Sequence, residues 1–281
     1  MTELTTYAGI PLLIWEAGLQ YAAMLLAGGL LGLFATHYLK KRDEVTRVAG
    51  VILEKRVNSQ RDILRFFENA TYTRQVPTGR ADPVLEEINA YGLATPWGNR
   101  LQYAEIFESL AQFHAFQRDP EELNSGHKLW LDAKVRFHLN LIQAYIAWIN
   151  RPLVFLQEIE LPGKQPLHGE AYERAAQTLL LMQGIVLDAE FKGLVAELET
   201  LMVDSIYHLD LRRSRSSLMR DRFNNQESAR LIATLSDDTL LGSVRDRLMA
   251  LAVGLAAAAK GQAMEPEEAA AVVDDLLVRV E

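Results

Sequence analysis

The stretch LDLRRSRSSLMRDRFNN concentrates cations in a chain whose formal net charge is −8. Its arginines are Arg212, Arg213, Arg215, Arg220 and Arg222, and the only acidic residue among them is Asp221. The planar guanidinium fork matches phosphate oxygens, and neighbouring serines add hydroxyl donors. The composition predicts a site for an anionic ligand, with a nucleotide or oligonucleotide signal, nucleic acid and lipid headgroups as candidates. Two alternatives stay open: a solvated connection between helices, and arginines paired with acidic groups across a subunit interface.

A second polar feature lies near the start of the chain, where Glu16 and Gln20 are one helical turn apart. Ala23 and Ala27 continue the same helical stripe. A ring of carboxylates at a channel mouth favours cations. In a ring of subunits, Glu16, Gln20, Ala23 and Ala27 are therefore candidate pore-lining residues. The alternative is that Glu16 lies among outer lipid headgroups and no pore forms.

Several familiar chemistries lack their motifs in this sequence. The six histidines are scattered without metal-ligand spacing, and the chain has no cysteine. No phosphate-binding loop, dinucleotide fingerprint or GxSxG elbow occurs, nor does the arginine and histidine spacing of HEPN-type ribonucleases. We therefore expect a non-enzymatic protein with no metal and no cofactor.

The element that must position Glu16 and Gln20 is an apolar segment, Gly18–Leu39, which contains no charged residue. As a helix it is roughly 33 Å long, enough for a hydrocarbon core of about 30 Å. Lys40, Lys41 and Arg42 follow at once, whereas no lysine or arginine precedes them. The positive-inside rule predicts a single-pass bacterial inner-membrane protein, N-terminus outside and remainder cytoplasmic. A cleaved signal peptide does not fit these flanks, and a buried core helix is the remaining alternative.

Small residues recur on one face of this predicted transmembrane helix. Gly28, Gly32 and Thr36 are spaced at four-residue intervals, which lets helix backbones approach closely in lipid. The spacing predicts helix–helix packing and hence a homo-oligomer within the lipid bilayer. The same motif also occurs in membrane anchors that remain monomeric.

The rest of the chain has helical periodicity, which predicts an all-α fold. Four regions are expected: an N-terminus with a transmembrane helix (1–39), a basic helical stalk (40–74), a linker rich in proline and glycine (75–83), and an irregular cytoplasmic helical bundle (84–281). Predicted helices within the bundle span 83–94, 99–117, 127–160 with a break at Pro152, 169–211, 226–235, 238–261 and 266–280.

An aromatic and aliphatic stripe runs along the predicted 127–160 helix. Its members are Trp130, Phe137, Leu141, Tyr145 and Trp148. Spacings of three and four residues favour core packing over a cofactor-binding box. Phenylalanines of the preceding helix are expected to face this stripe, with His114 in the core or at its boundary.

The membrane-exit and stalk sequence, ATHYLKKRDEVTRVAGVILEKRVNSQRDILRFFENA, resembles that of uncharacterised prokaryotic single-pass proteins. Some of these resemble membrane effectors of antiviral defence, in which a sensor or nucleotide-type signal releases a membrane-disrupting oligomer. The resemblance supports Lys40, Lys41 and Arg42 as the membrane exit and residues 53–56 as stalk. It implies an oligomeric ion-conducting or depolarising effector gated by a helical sensor domain. A membrane-tethered adaptor or scaffold for a cytoplasmic protein partner is the alternative.

Overall fold

The computed structural model describes residues 6–7, 10–76, 78–97, 101–127, 130–159, 166–207 and 217–280. The chain divides into two compact units, Met1–Glu54 and Lys55–Glu281. Helices dominate both units, so the predicted all-α class is confirmed.

The first unit consists of a small β-ladder and most of one long helix. Strands β1 (Thr6–Tyr7) and β2 (Ile10–Pro11) pair antiparallel, and α1 (Leu12–Ala70) begins at once after Pro11. No proline occurs within α1, and its continuous helical conformation follows from that. Among the residues that the structure describes, no helix contains a stretch long and apolar enough to cross a membrane. The predicted transmembrane helix is thus not confirmed.

The second unit is an irregular bundle with one pair of short antiparallel strands. After the end of α1 its elements are β3 (Thr73–Gln75), α2 (Thr78–Ala90), β4 (Gln102–Ala104), a 3-10 turn (Glu105–Phe107), α3 (Leu110–His127), α4 (Ala133–Glu158), α5 (Gly169–Tyr207), α6 (Ser217–Asp237), α7 (Leu240–Ala259) and α8 (Pro266–Val280). Strands β3 and β4 pair antiparallel. Asp132 caps the start of α4 and Thr239 that of α7, each accepting a backbone N–H.

The core lies around α5, which packs against α4 and α7, while α7 packs against α8. Ile63 and Phe67, near the end of α1, are buried in this core. An aromatic cluster fills the space beside them: Phe66, Phe67, Phe107, Phe113, Phe116 and Phe191. Residues 55–70, predicted as stalk, therefore contribute side chains to the core of the second unit.

The structure differs from the sequence prediction around the expected linker. Thr78 begins α2, and Pro83 lies inside that helix. Gln75 and Gln102 pair across the β3–β4 ladder, so the described residues 101–109 of the helix predicted over 99–117 instead contain a strand and a 3-10 turn. Alternation over three residues is too short to detect in the sequence. The pairing depends on a contact between segments far apart in the chain.

The sequence predicts helix breaks at Pro152 and in the segment RDPEELNSG, but the helices continue through both positions. Helix α4 runs through Pro152, and α3 extends through the segment RDPEELNSG to His127. Gln183 Nε2, on α5, donates to the carbonyl oxygen of Ile149 at 3.2 Å, beside the proline. Burial of the α4 face against the core compensates for the hydrogen bond that proline removes.

Core packing of the aromatic stripe is confirmed for its centre. Tyr145 and Leu141 are buried, whereas Phe137 and Trp148 are half-buried beneath the guanidinium groups of Arg230 and Arg245. His114 is exposed, so its predicted core or boundary position is wrong. Its neighbours Phe113 and Phe116 occupy the buried face of α3 instead.

Candidate functional site

The N-terminal part of α1 carries a surface of exposed apolar side chains, which we call the apolar helix surface. It consists of Leu19, Tyr21, Met24, Leu25, Leu26, Phe34, Tyr38 and Leu39. Their exposed fractions reach 75% at Leu25. At 3.6 residues per turn they project around the circumference, leaving no sector wider than about 100°. A helix docked in a protein groove needs only one apolar stripe, and the apolar helix surface is wider than such a stripe.

The predicted packing residues lie at different distances from the widest of those sectors. Thr36 falls within it, Gly32 lies about 20° outside its edge, and Gly28 about 60° outside. An added Cβ at Gly28 or Gly32 meets no atom within 4 Å, and the Thr36 hydroxyl donates to the Gly32 carbonyl oxygen at 2.7 Å. Both glycines therefore leave room for the close approach of another helix.

The structure places the other predicted membrane residues on the same helix. Gln20 is exposed, and the side chains of Glu16, Ala23 and Ala27 lie outside the described part of the structure. Lys40, Lys41 and Arg42 are exposed and follow the apolar helix surface directly. The pore-lining assignment stays a prediction.

The arginine-rich stretch straddles the start of α6. Arg212, Arg213 and Arg215 lie outside the described residues. Arg220 and Arg222 belong to the first turns of α6, with side chains that are likewise not described. Helix α6 begins at Ser217, nine residues before the predicted start at Gln226. The predicted anionic-ligand site therefore includes part of a helix.

A cavity opens between the end of α2 and the helices α7 and α8, and we call it the acidic groove. It has a volume of about 270 Å³. Its lining residues are Ala90, Tyr91, Asp246, Arg247, Ala250, Pro266, Glu267, Ala270, Val273 and Asp274. Alanine and valine side chains provide an apolar floor, and three exposed carboxylates stand on its rim. No stretch of sequence joins these residues, so sequence reasoning missed the groove.

Tyr91 shows the electrostatic character of the acidic groove. Burial first, and then the charges of the nearby carboxylates Glu87 and Glu265, together raise the pKa of its hydroxyl to about 12. Both effects disfavour the phenolate. The region therefore combines low solvent access with negative potential, a combination that suits an apolar group flanked by cations.

Backbone geometry at Gly92 fixes one wall of the acidic groove. Gly92 has a φ of 63°, and its N–H and that of Leu93 bond back to Asn89 and Ile88, which closes α2 in a Schellman motif. Arg247 donates to the Gly92 carbonyl oxygen at 2.8 Å. The one cation lining the groove therefore makes a structural contact with its wall.

A buried acid that the sequence did not reveal lies on α5. The Asp188 side chain is fully buried and accepts a hydrogen bond from Trp97 Nε1 at 3.0 Å. Lys192 Nζ lies 2.9 Å from each carboxylate oxygen and donates to Thr73 Oγ1 at 2.8 Å. These contacts join α5 to β3 and to the segment before β4. All of these partners hold the fold together.

Two further polar contacts hold helix ends together. The Glu190 carboxylate accepts the Tyr145 hydroxyl at 2.9 Å and the backbone N–H groups of Leu240 and Leu241 at the start of α7. Burial, followed by the charge and hydrogen bond of Glu190, raises the pKa of Tyr145 well above its ordinary value. An anion at a helix N-terminus is favoured by the helix dipole.

At the C-terminal end of α5, Arg56 donates to the carbonyl oxygens of Trp130 and Ser205, at 3.1 and 2.8 Å. Gln60 Nε2 donates to Ser205 Oγ at 2.6 Å. The Ser205 carbonyl is one of the last in α5, so it has no N–H partner within the helix. Arg56 thus fixes the end of α5 against the C-terminal part of α1.

The described portion of the chain contains no group of three or more histidine, cysteine, aspartate or glutamate side chains able to hold a metal ion. No family model, curated protein or solved structure matches this chain.

Proposed function

We propose that this chain is a non-enzymatic inner-membrane effector, an oligomeric ion-conducting or membrane-depolarising protein gated by its helical body. The observation that carries the proposal is the apolar helix surface, whose large side chains are exposed on every side of α1 immediately before Lys40, Lys41 and Arg42. The resemblance of the membrane-exit and stalk sequence makes antiviral defence the proposed setting.

Membrane insertion is supported by the cost of leaving this surface in water. Each large apolar side chain transferred into an apolar medium gains about 1.5–3 kcal/mol. Eight such side chains in one short helical segment exceed the scattered exposed residues of ordinary soluble proteins. The uncharged stretch Gly18–Leu39 supports a membrane span by its length, and the cations after it favour a cytoplasmic body with the N-terminus outside.

Oligomerisation and conduction rest on two parts of the same helix. Gly28, Gly32 and Thr36 offer an open face for helix–helix contact in the bilayer. Glu16 and Gln20, continued by Ala23 and Ala27, would then line the passage, with the carboxylates at the outer mouth attracting cations. An anionic signal, a nucleotide or oligonucleotide, would bind the arginine-rich stretch and change the state of the body.

Membrane potential in cells expressing the full chain tests this proposal. We expect the intact chain to depolarise the membrane, and both Glu16→Ala and replacement of residues 1–39 by an unrelated anchor to abolish the effect at equal expression. Thr2→Ala, near the start but away from the proposed lining, serves as the control and should depolarise like the parent. Depolarisation that persists with the unrelated anchor would show that α1 forms no specific pore.

The second candidate function is a membrane-tethered adaptor for a cytoplasmic protein partner. It is favoured by the extensive core of the second unit, which is built from residues of that unit alone. A body with its own core needs the anchor for location only. An adaptor should keep its cellular effect after the exchange of residues 1–39, and the effector should lose it, so the same exchange separates the two functions.

A further inference from the structure

The acidic groove has the size and polarity of a site for one or two apolar side chains with cations beside them. At about 270 Å³ it lies below the volume of most small-molecule and cofactor pockets. Its apolar lining consists of Ala90, Ala250, Ala270 and Val273, of which Ala250 and Val273 are buried. Asp246, Glu267 and Asp274 line the rim and are exposed, which leaves their charges available to a basic partner.

The chain itself contains a segment with the complementary chemistry. In RSRSSLMRDR the apolar pair Leu218 and Met219 lies between Arg215 and Arg220. Methionine and leucine adapt well to irregular apolar surfaces. The arginine-rich stretch is also the densest cluster of cations in residues 84–281, where acidic residues outnumber basic ones.

We propose that the acidic groove of one copy receives Leu218 and Met219 of a second copy, with the flanking arginines facing Asp246, Glu267 and Asp274. This inference rests on the homo-oligomer of the proposed function and names a contact that would assemble it on the cytoplasmic side. The neighbouring subunit is then a second anionic partner of the arginine-rich stretch, beside the proposed nucleotide or oligonucleotide signal.

A second copy is favoured over the same chain by the packing of α6. Within the residues that the structure describes, α6 packs against α4 and α7 and makes no comparable contact with α2 or α8. The groove is bounded by α2, α7 and α8. A contact between two different surfaces of identical subunits is heterologous, and repeated contacts of this kind close into a ring when the rotation permits. A ring is the arrangement that the predicted passage requires.

Cysteine cross-linking tests the contact in membranes from cells, because the natural chain has no cysteine. A full-length copy with Ala270→Cys and one tag is expressed together with a full-length Leu218→Cys copy carrying another tag. Mild oxidation should give a disulfide-linked species bearing both tags, since paired cysteines must bring their Cα atoms within about 7 Å. The matched control replaces Ala270→Cys by Val203→Cys, an exposed position on α5.

Charge exchange adds a second arm to this test. Asp246→Lys together with Asp274→Lys in the groove copy should reduce the mixed-tag product several-fold. Arg215→Glu together with Arg220→Glu in the other copy should restore it. Raised salt should lower the yield of the parent pair, because exposed charge pairs are screened.

Two results would overturn the inference: mixed-tag product equal to the Val203→Cys control, or an unrelated protein captured by Ala270→Cys in place of the second copy. Failure here and failure of the proposed function are distinguishable. Cross-linking without depolarisation would support the contact and contradict the proposed ion conduction. Depolarisation without cross-linking would support the proposed effector function and contradict this contact.

Discussion

Asp188 illustrates how a charged side chain can be buried for a structural purpose. Its carboxylate is enclosed between α5, the Trp97 indole and the Lys192 ammonium group, and Lys192 in turn reaches Thr73 on β3. Burial of an ion is tolerated when its charge is paired and its hydrogen bonds are satisfied. The short β3–β4 pairing therefore depends on a charge network centred on one helix.

Removal of this carboxylate should destabilise the chain strongly. We expect Asp188→Ala to lower the free energy of unfolding by about 3 kcal/mol, because it leaves the Lys192 cation and the Trp97 N–H without their partner. Denaturant unfolding of the full chain, followed by tryptophan fluorescence, measures the change. Glu173→Ala, an exposed acid on the same helix, should stay within about 0.5 kcal/mol of the parent.

Tyr91 makes stability depend on pH in the alkaline range. Its folded pKa of about 12 exceeds the unfolded value of 10, so both states are protonated below pH 10. Above pH 10 the unfolded chain loses the proton first, and folding free energy is lost by up to about 1.4 kcal/mol per pH unit. Tyr91→Phe should therefore lose less stability than the parent between pH 10 and 12.

Denaturant midpoints of the parent and Tyr91→Phe at pH 9 and 11 provide the measurement. Tyr72→Phe, at an exposed tyrosine, is the control and should decline like the parent. An equal decline in Tyr91→Phe and the parent would contradict the role of the Tyr91 hydroxyl.

At the scale of elements, α5 uses one glycine for close packing and carries another without a packing role. A Cβ added at Gly184 would lie 2.6 Å from the Phe107 Cβ and 2.7 Å from its Cγ. The same addition at Gly193 meets no atom within 4 Å. Only the first glycine brings the 3-10 turn of Phe107 against the helix.

Alanine at these two positions should change stability in opposite directions. Gly184→Ala forces the buried Phe107 ring to move and should cost about 1–3 kcal/mol. Gly193→Ala should gain about 0.5–1 kcal/mol, since alanine reduces the conformational freedom of the unfolded chain and favours the helix. Chemical denaturation of the two full-length variants measures both changes. Destabilisation by Gly193→Ala would show a contact at that position which the packing does not include.

At the scale of the whole molecule, the central question is where the protein resides. The apolar helix surface and the cations after it support insertion in a bilayer, and the body forms its own core. A charge placed within the apolar stretch should oppose insertion, whereas the same charge further along α1 should not.

We expect Leu26→Arg to shift the full chain toward release from membranes under alkaline extraction. An arginine at the centre of a transmembrane helix costs about 2.5–3.5 kcal/mol in insertion free energy. Val48→Arg places the same group at an exposed apolar position of the same helix, beyond Arg42, and should extract like the parent. Equal extraction of all three chains would contradict a membrane-spanning segment around Leu26.

Local sequence predicted the helices and not the contacts between them. The bounds of α8, Pro266–Val280, match the prediction because Pro266 is favourable in a first helical turn and the preceding GQAMEP interrupts the pattern. Pro152 misled the prediction, since core packing kept α4 helical. The sequence does not reveal strand β4, because its partner β3 lies on the other side of α2 in the chain.

The candidate functional sites also divide into those that the sequence reveals and those that only folding brings together. Sequence composition reveals the apolar helix surface and the arginine-rich stretch because their members are neighbours in the chain. The acidic groove joins Tyr91, Asp246 and Asp274, which only the folding of α2, α7 and α8 brings together. Asp188 likewise lies in an ordinary helical pattern, and its burial depends on Trp97 and Lys192.

The contact between Arg56 and Ser205 limits the order in which the body can fold during biosynthesis. Its partners are 149 residues apart in sequence. At about 5–20 residues per second, a ribosome needs on the order of ten seconds or more to complete that interval. During that time Ile63 and Phe67 have emerged without the helices that later bury them. The contact between Arg56 and Ser205 therefore cannot form until most of the body has been synthesised.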